Sequence, residues 1–219
     1  MQPKQLFIII GSVLALFGFL LGTYMLTSTP KETFFESLKT IKKSDHSKWA
    51  SGKKIVMEYS DFQCPACGSY YSILKTFEED PANADLMKEF TFVYRNFPLD
   101  QIHPNAREAA YAAEAAALQN KFFPFHDVLF EKQGEWSELG DPSALFETYA
   151  KDLTLDIEKF KSDYSSDAVK EKVQNDYLSG IEASVQGTPS FFIDGATIKS
   201  PQSADQFREA LLNVLDKKS

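Results

Sequence analysis

EYSDFQCPACGSYY, residues 58 to 71, holds both cysteines of the 219-residue chain, Cys64 and Cys67, with only Pro65 and Ala66 between them. The stretch leading into it, KIVMEYSDF from Lys54 to Phe62, is short, apolar and rich in strand formers, and the polar and small residues after Phe62 end it. Pro65 sits where a helix admits proline without loss, because its fixed φ suits the first turn and its missing N–H has no partner there. The spacing predicts a buried strand, then the cysteine pair, then a helix to about Glu79. FTFVYRNF, Phe90 to Phe97, predicts a second strand closed by Pro98, so the region reads as a right-handed βαβ start.

Past this unit the chain changes character. HPNAREAAYAAEAAALQ, His103 to Gln119, is rich in alanine, the best helix former because it loses no side-chain entropy. Pro124 opens a further helix, the Asp141-Pro142 pair caps and opens another, and SSDAVKEKVQNDYLSGIEASV gives a last one ending near Val185. A helical lobe is thus expected at about 103–185. Strand signals return in PSFFIDGATIKS, where Asp194-Gly195 suits a two-residue type I′ hairpin turn. The closing helix, SADQFREALLNVLDK, is expected to bury Phe207, Leu211, Leu212 and Leu215 on one face.

At the other end, LFIIIGSVLALFGFLLGTYML runs from Leu6 to Leu26 without a charge, enough helix for a hydrocarbon core of about 30 Å. A cleaved signal peptide has a shorter apolar region, about 7 to 15 residues, and Pro30 stands awkwardly for cleavage. The organisation read from this is a short cytoplasmic N-terminus (1–5), a transmembrane anchor (6–26), a tether (27–51) with one short helix for which packing on the domain and lying on the bilayer surface are both open, and one domain (52–219). Net charge is −8; Lys4 and Lys31 are the only charges in the first 31 residues, leaving 21 basic against 31 acidic residues, or −10, on the rest. That balance argues against a nucleic-acid partner.

A C-x-x-C where a strand meets a helix is a redox arrangement. Cys64 stands where unpaired backbone N–H groups and the positive end of the helix dipole favour an anion, and Cys67 lies one turn further in. Such sites lower a cysteine from about 8.5 to about 3.5–7.5. A structural disulfide gains little by closing so small a loop. Zinc needs two more ligands, and His46, His103 and His126 are not at paired-ligand spacing, so no metal and no cofactor beyond a Cys64-Cys67 disulfide is expected.

EYSDFQCPACGSYY, FVYRNFPL, the alanine-rich helix after HPNA, and VQGTPSFFIDG together resemble the DsbA-like thiol-disulfide oxidoreductases over most of residues 52 to 219. The resemblance implies an α/β, thioredoxin-like fold interrupted by a helical lobe, with Cys64 as the attacking thiol and Cys67 as the buried resolving one. It implies a cis Thr188-Pro189 peptide lying against the pair; without it, Pro189 reads as a strand-entry proline. Thr188, Pro189, Pro65 and Ala66 are the expected substrate-contacting surface. Glu58 matches the family's buried, proton-relaying acid, the alternative being a solvent-facing strand residue. His103, His126 and Trp136 are expected as helix-cap, core or surface residues, and Asp61 and Gln63 as shaping the groove. Ala66 departs from the C-P-H-C pattern, leaving backbone amides alone to hold the anion and making a weaker oxidant.

The function so implied is a membrane-tethered enzyme outside the cytoplasm that passes its disulfide to exported cysteine-containing proteins and is reset by a membrane electron-transfer partner. A reductase with the same fold and site, as in cytochrome maturation, and a non-catalytic binding or chaperone module are the alternatives.

Overall fold

The computed structural model describes residues 10–11, 13–20, 22–23, 34–49 and 52–216. A five-stranded sheet in the order β1-β3-β2-β4-β5 forms its centre. The strands are β1 (His46–Lys48), β2 (Lys54–Ser60), β3 (Phe90–Asn96), β4 (Ser190–Ile193) and β5 (Ala196–Ile198). β2 and β3 run parallel, from Lys54 opposite Phe90 to Ser60 opposite Asn96; the other pairs are antiparallel. Every residue of β2 and β3 is buried. Covered on both faces, these central strands read in the sequence as apolar runs rather than as alternation.

Helices α1 (Pro65–Glu79) and α2 (Ala84–Met87) connect β2 to β3. Between β3 and β4 lies the lobe: α3 (Ala106–Ala117), α4 (Phe122–Glu131), α5 (Gln133–Trp136), α6 (Ser143–Asp152), α7 (Ile157–Tyr164) and α8 (Asp167–Glu182). α3 packs against α4, α7 and α8. Ala106, Ala109, Ala110, Ala112, Ala113, Ala115 and Ala116 are all buried, since their small side chains let three helices approach one axis. α9 (Ala204–Asp216) closes the chain against α1, burying Phe207 and Leu211. Leu212, expected on the same face, is 40% exposed because the helical period carries it outward. The β4–β5 turn has Asp194 at φ 53° and Gly195 at φ 86°, both positive as a type I′ turn requires.

Side-chain alternation divides the core. Ile55, Met57 and Tyr59 pack with Val93, Phe192 and Val185, whereas Val56 faces Phe92, Phe191 and the helices α1 and α9. Glu58 and Ser60 share the face of Val56 and so lie under α1.

Residues 34–49, read from the sequence as part of a tether that packs on the domain or lies on the bilayer surface, pack on the domain and complete it. Phe35 N–H donates to Gly195 O at 2.7 Å, Leu38 is 1% exposed, and β1 adds an edge to the sheet. Asp45 is the fixing point: Arg95 Nε and a terminal guanidinium nitrogen each donate to one of its oxygens at 2.9 Å, with both side chains buried. The helical residues described at 10–11, 13–20 and 22–23 form no helix long and apolar enough to cross a membrane; the rest of Leu6–Leu26, and residues 1–5, lie outside the described residues.

A buried ion pair stripped of one partner leaves an uncompensated charge. Asp45→Ala is expected to lower unfolding free energy by about 3–5 kcal/mol, measured by denaturant titration.

Candidate active site

β2 is packed on both faces up to Ser60, and the chain leaves the sheet there through Asp61, Phe62 and Gln63. The exit is tied by Asp61. Its Oδ1 accepts from Gln63 N–H at 2.8 Å, its Oδ2 accepts from Leu99 N–H at 2.9 Å and lies 2.8 Å from His103 Nδ1, and its carbonyl accepts from Cys64 N–H at 3.1 Å. The lobe grips the same loop from the other side. Gln133 Nε2 donates to Phe62 O at 2.7 Å and to Cys64 O at 3.0 Å, while Gln63 donates to Ser137 O at 2.6 Å and accepts from Asn105 N–H at 2.6 Å. Cys64 thereby becomes the N-cap of α1, with extended backbone at φ −68° and ψ 121°, and Pro65 the first helical residue.

Cys64 is 7% exposed and Cys67 fully buried. Pro65 and Ala66 between them are exposed. The Cys64 thiol points at Thr188 O, 3.6 Å away, and the Thr188-Pro189 peptide is cis. Thr188 and Pro189 are half-buried, so this loop walls one side of the pair.

The Cys64 thiol is pushed down from its ordinary 9.0 to about 5. Hydrogen bonding from the Cys67 thiol contributes most, burial opposes it, and the backbone N–H groups of Cys67 and Ala66 add support. The expectation that amides alone would hold the anion is therefore corrected: the second thiol is the main donor. Cys67 moves the opposite way, well above 9.0, because burial and the neighbouring Cys64 anion both penalise its ionisation.

Glu58 is 3% exposed, not a solvent-facing strand residue. Burial raises its carboxyl from 4.5 to about 7, against the lowering effects of Ser60 and Lys48. The Ser60 hydroxyl acts on both Glu58 and Cys67; among the described residues neither it nor the buried Tyr94 hydroxyl has a hydrogen-bond partner within bonding distance. His126 is a core residue, held 2.8 Å from Asp127 and lowered by burial to about 4, and Trp136 is buried with its N–H donating to Leu129 O. Among the described residues no cluster of His, Cys, Asp or Glu is placed to hold a metal ion. Gln133 and Asn105 escaped sequence reasoning, because a polar residue in a helical lobe carries no local mark of what it will reach.

The raised Glu58 carboxyl sets a sign for stability. The folded state retains a proton that the unfolded chain has lost, so Glu58 costs stability progressively as pH rises from 4.5 through 7. Glu58→Gln is expected to stabilise the fold by about 3 kcal/mol above pH ~8 and to have little effect below about pH 4.5, read from denaturation midpoints across that range.

A family model described as Thioredoxin matches residues 50–213. The Na(+)/H(+) antiporter NhaA 3 of Salinispora tropica is 34% identical over 162 residues, 73% of this chain and 23% of that protein. The chain spans about a quarter of the length of such curated relatives. Among solved structures, BdbD from Bacillus subtilis superposes with a TM-score of 0.68 at 22% identity, over 85% of this chain and 99% of that one. MdbA, a thiol-disulfide oxidoreductase from Corynebacterium diphtheriae, gives 0.61 at 19% identity, over 86% and 98%. Both share the α/β fold with its helical insertion, and the family match takes in both cysteines and the whole sheet from β2 to β5: the chain belongs to the thioredoxin family.

Proposed function

We propose that the protein is a thiol-disulfide oxidoreductase that donates the Cys64-Cys67 disulfide to cysteines of exported proteins through a mixed disulfide at Cys64. The observation that carries this reading is the opposed displacement of the two thiols, Cys64 down to about 5 and Cys67 well up. A stabilised Cys64 thiolate is a good leaving group and favours the reduced form, so the oxidised pair gives up its disulfide readily. Near neutrality buried Cys67 keeps its proton while buried Glu58, at about 7, can either give or take one, which suits a resolving thiol and the acid that supplies and removes its proton.

The uncharged run Leu6–Leu26 supports a single-pass anchor, and Lys4 ahead of it, against Lys31 beside Glu32 after it, together with the redox pair supports an N-terminus in the cytoplasm and a catalytic domain outside it. An oxidase so placed needs a membrane electron-transfer partner to reoxidise the pair.

Equilibration of the purified protein with glutathione redox buffers is expected to give a midpoint at about −200 mV or more oxidising, and Cys67→Ala is expected to accumulate mixed disulfides with exported proteins. A midpoint near that of thioredoxin, about −270 mV, would assign a reductase instead. Cys64→Ala retaining full activity would assign a binding module.

A further inference from the structure

We propose that His103 is the general base that takes the proton from the incoming substrate thiol, an inference that rests on the oxidoreductase reading above. His103 belongs to the loop between β3 and α3, and only its backbone serves the helix start, its carbonyl accepting from Ala106 N–H at 3.1 Å. The side chain turns to Asp61, whose carboxylate is fully buried and sits 2.8 Å from Nδ1. An imidazole bonded to a carboxylate through Nδ1–H has its tautomer and ring angle set, which leaves Nε2 as the basic nitrogen. Among the described residues Nε2 has no hydrogen-bond partner. The ring is 15% exposed and lines an open groove with Gln63, Pro65, Pro104 and Leu139. Pro65 follows Cys64 directly, so a thiol reaching Cys64 along this groove passes the imidazole.

Few other charges bear on this ring. Among the described residues Glu138 is the only other charged one lining the groove, and Asp100 on the same loop is engaged by Arg107 at 2.6 Å. The Asp61–His103 pair is also coupled to the sulfurs, because Asp61 N–H approaches Cys67 Sγ at 3.5 Å.

The chemistry calls for a base at this place. An ordinary thiol is only a few per cent ionised at neutral pH, yet the thiolate is the nucleophile. Starting from the oxidised pair, the substrate S–H proton passes to His103 Nε2 and the sulfur attacks Cys64 Sγ. The Cys64-Cys67 bond breaks, its electron pair leaves with Cys67, and Cys67 takes a proton from Glu58. The substrate sulfur is oxidised and the Cys67 sulfur reduced. A second substrate thiol loses its proton to water, attacks the first substrate sulfur to form the substrate disulfide, and releases Cys64 as the thiolate.

The test uses the full chain oxidised by a disulfide such as oxidised glutathione, and follows its reduction by two thiols at about pH 7. One is a short cysteine peptide with a pKa of about 8.5; the other is thionitrobenzoate, already ionised. In His103→Gln an N–H donor for Asp61 remains but the base is gone. The peptide rate is expected to fall about 10- to 100-fold, with the loss shrinking as pH passes the peptide's own pKa, while the thionitrobenzoate rate changes by less than about twofold. An unchanged peptide rate, or equal losses with both thiols, overturns the assignment. If neither thiol reduces the wild-type disulfide, the oxidoreductase reading fails and this inference with it.

Discussion

The chemistry of this protein depends on where α1 begins. A helix start leaves backbone N–H groups without intrahelical partners, and here it occurs at the end of a strand buried on both faces, so water is largely kept from the junction. Burial alone would raise every thiol and carboxyl placed there. Cys64 escapes because it is the residue at which the free N–H groups and the Cys67 thiol converge, and these outweigh its desolvation. Cys67 and Glu58 have donors too, Asp61 N–H and the Ser60 hydroxyl, but burial outweighs them and both groups move upward. One strand and one helix thus separate three groups into a ready anion and two proton holders.

The position of that helix start is itself maintained from outside. Asp61 gathers the exit loop from within, and the lobe supplies Gln133, Asn105 and Ser137 from the opposite side. The insertion therefore acts as a brace on the loop that carries the thiols, and its alanine-packed axis gives the brace a rigid base. Residues 34–49 stiffen the far edge of the sheet through the buried Arg95–Asp45 pair. Gly180 in α8 shows how closely lobe and sheet meet: a Cβ there would lie 2.4 Å from the Phe97 ring and 3.1 Å from Tyr59.

Much of this was legible in the sequence where a local physical signal was strong. Pro65 marked the helix start, the runs at Lys54 and Phe90 marked buried strands, Asp194-Gly195 marked the hairpin, and the alanines marked the lobe. The site was less legible because its electrostatics come from residues distant in the chain. Nothing local in His103, Gln133 or Asn105 says that the fold will bring them to Cys64 and Asp61. The same holds for residues 34–49, whose polar composition hides a single buried Leu38 and an aspartate that finds its arginine fifty residues away. Ala66, standing where the C-P-H-C pattern has histidine, left the backbone amides as the only holders of the anion in the sequence reading, because nothing local shows the Cys67 thiol turned toward Cys64 as its largest support.

The anion at Cys64 is tested most directly by the rate of its alkylation with iodoacetamide in the reduced full chain as pH is varied. An inflection near 5, with reaction already at full rate at neutral pH, is the expected result. An inflection near the ordinary 9.0 would mean that the helix start and its neighbouring thiol do not hold the charge, and would contradict the account.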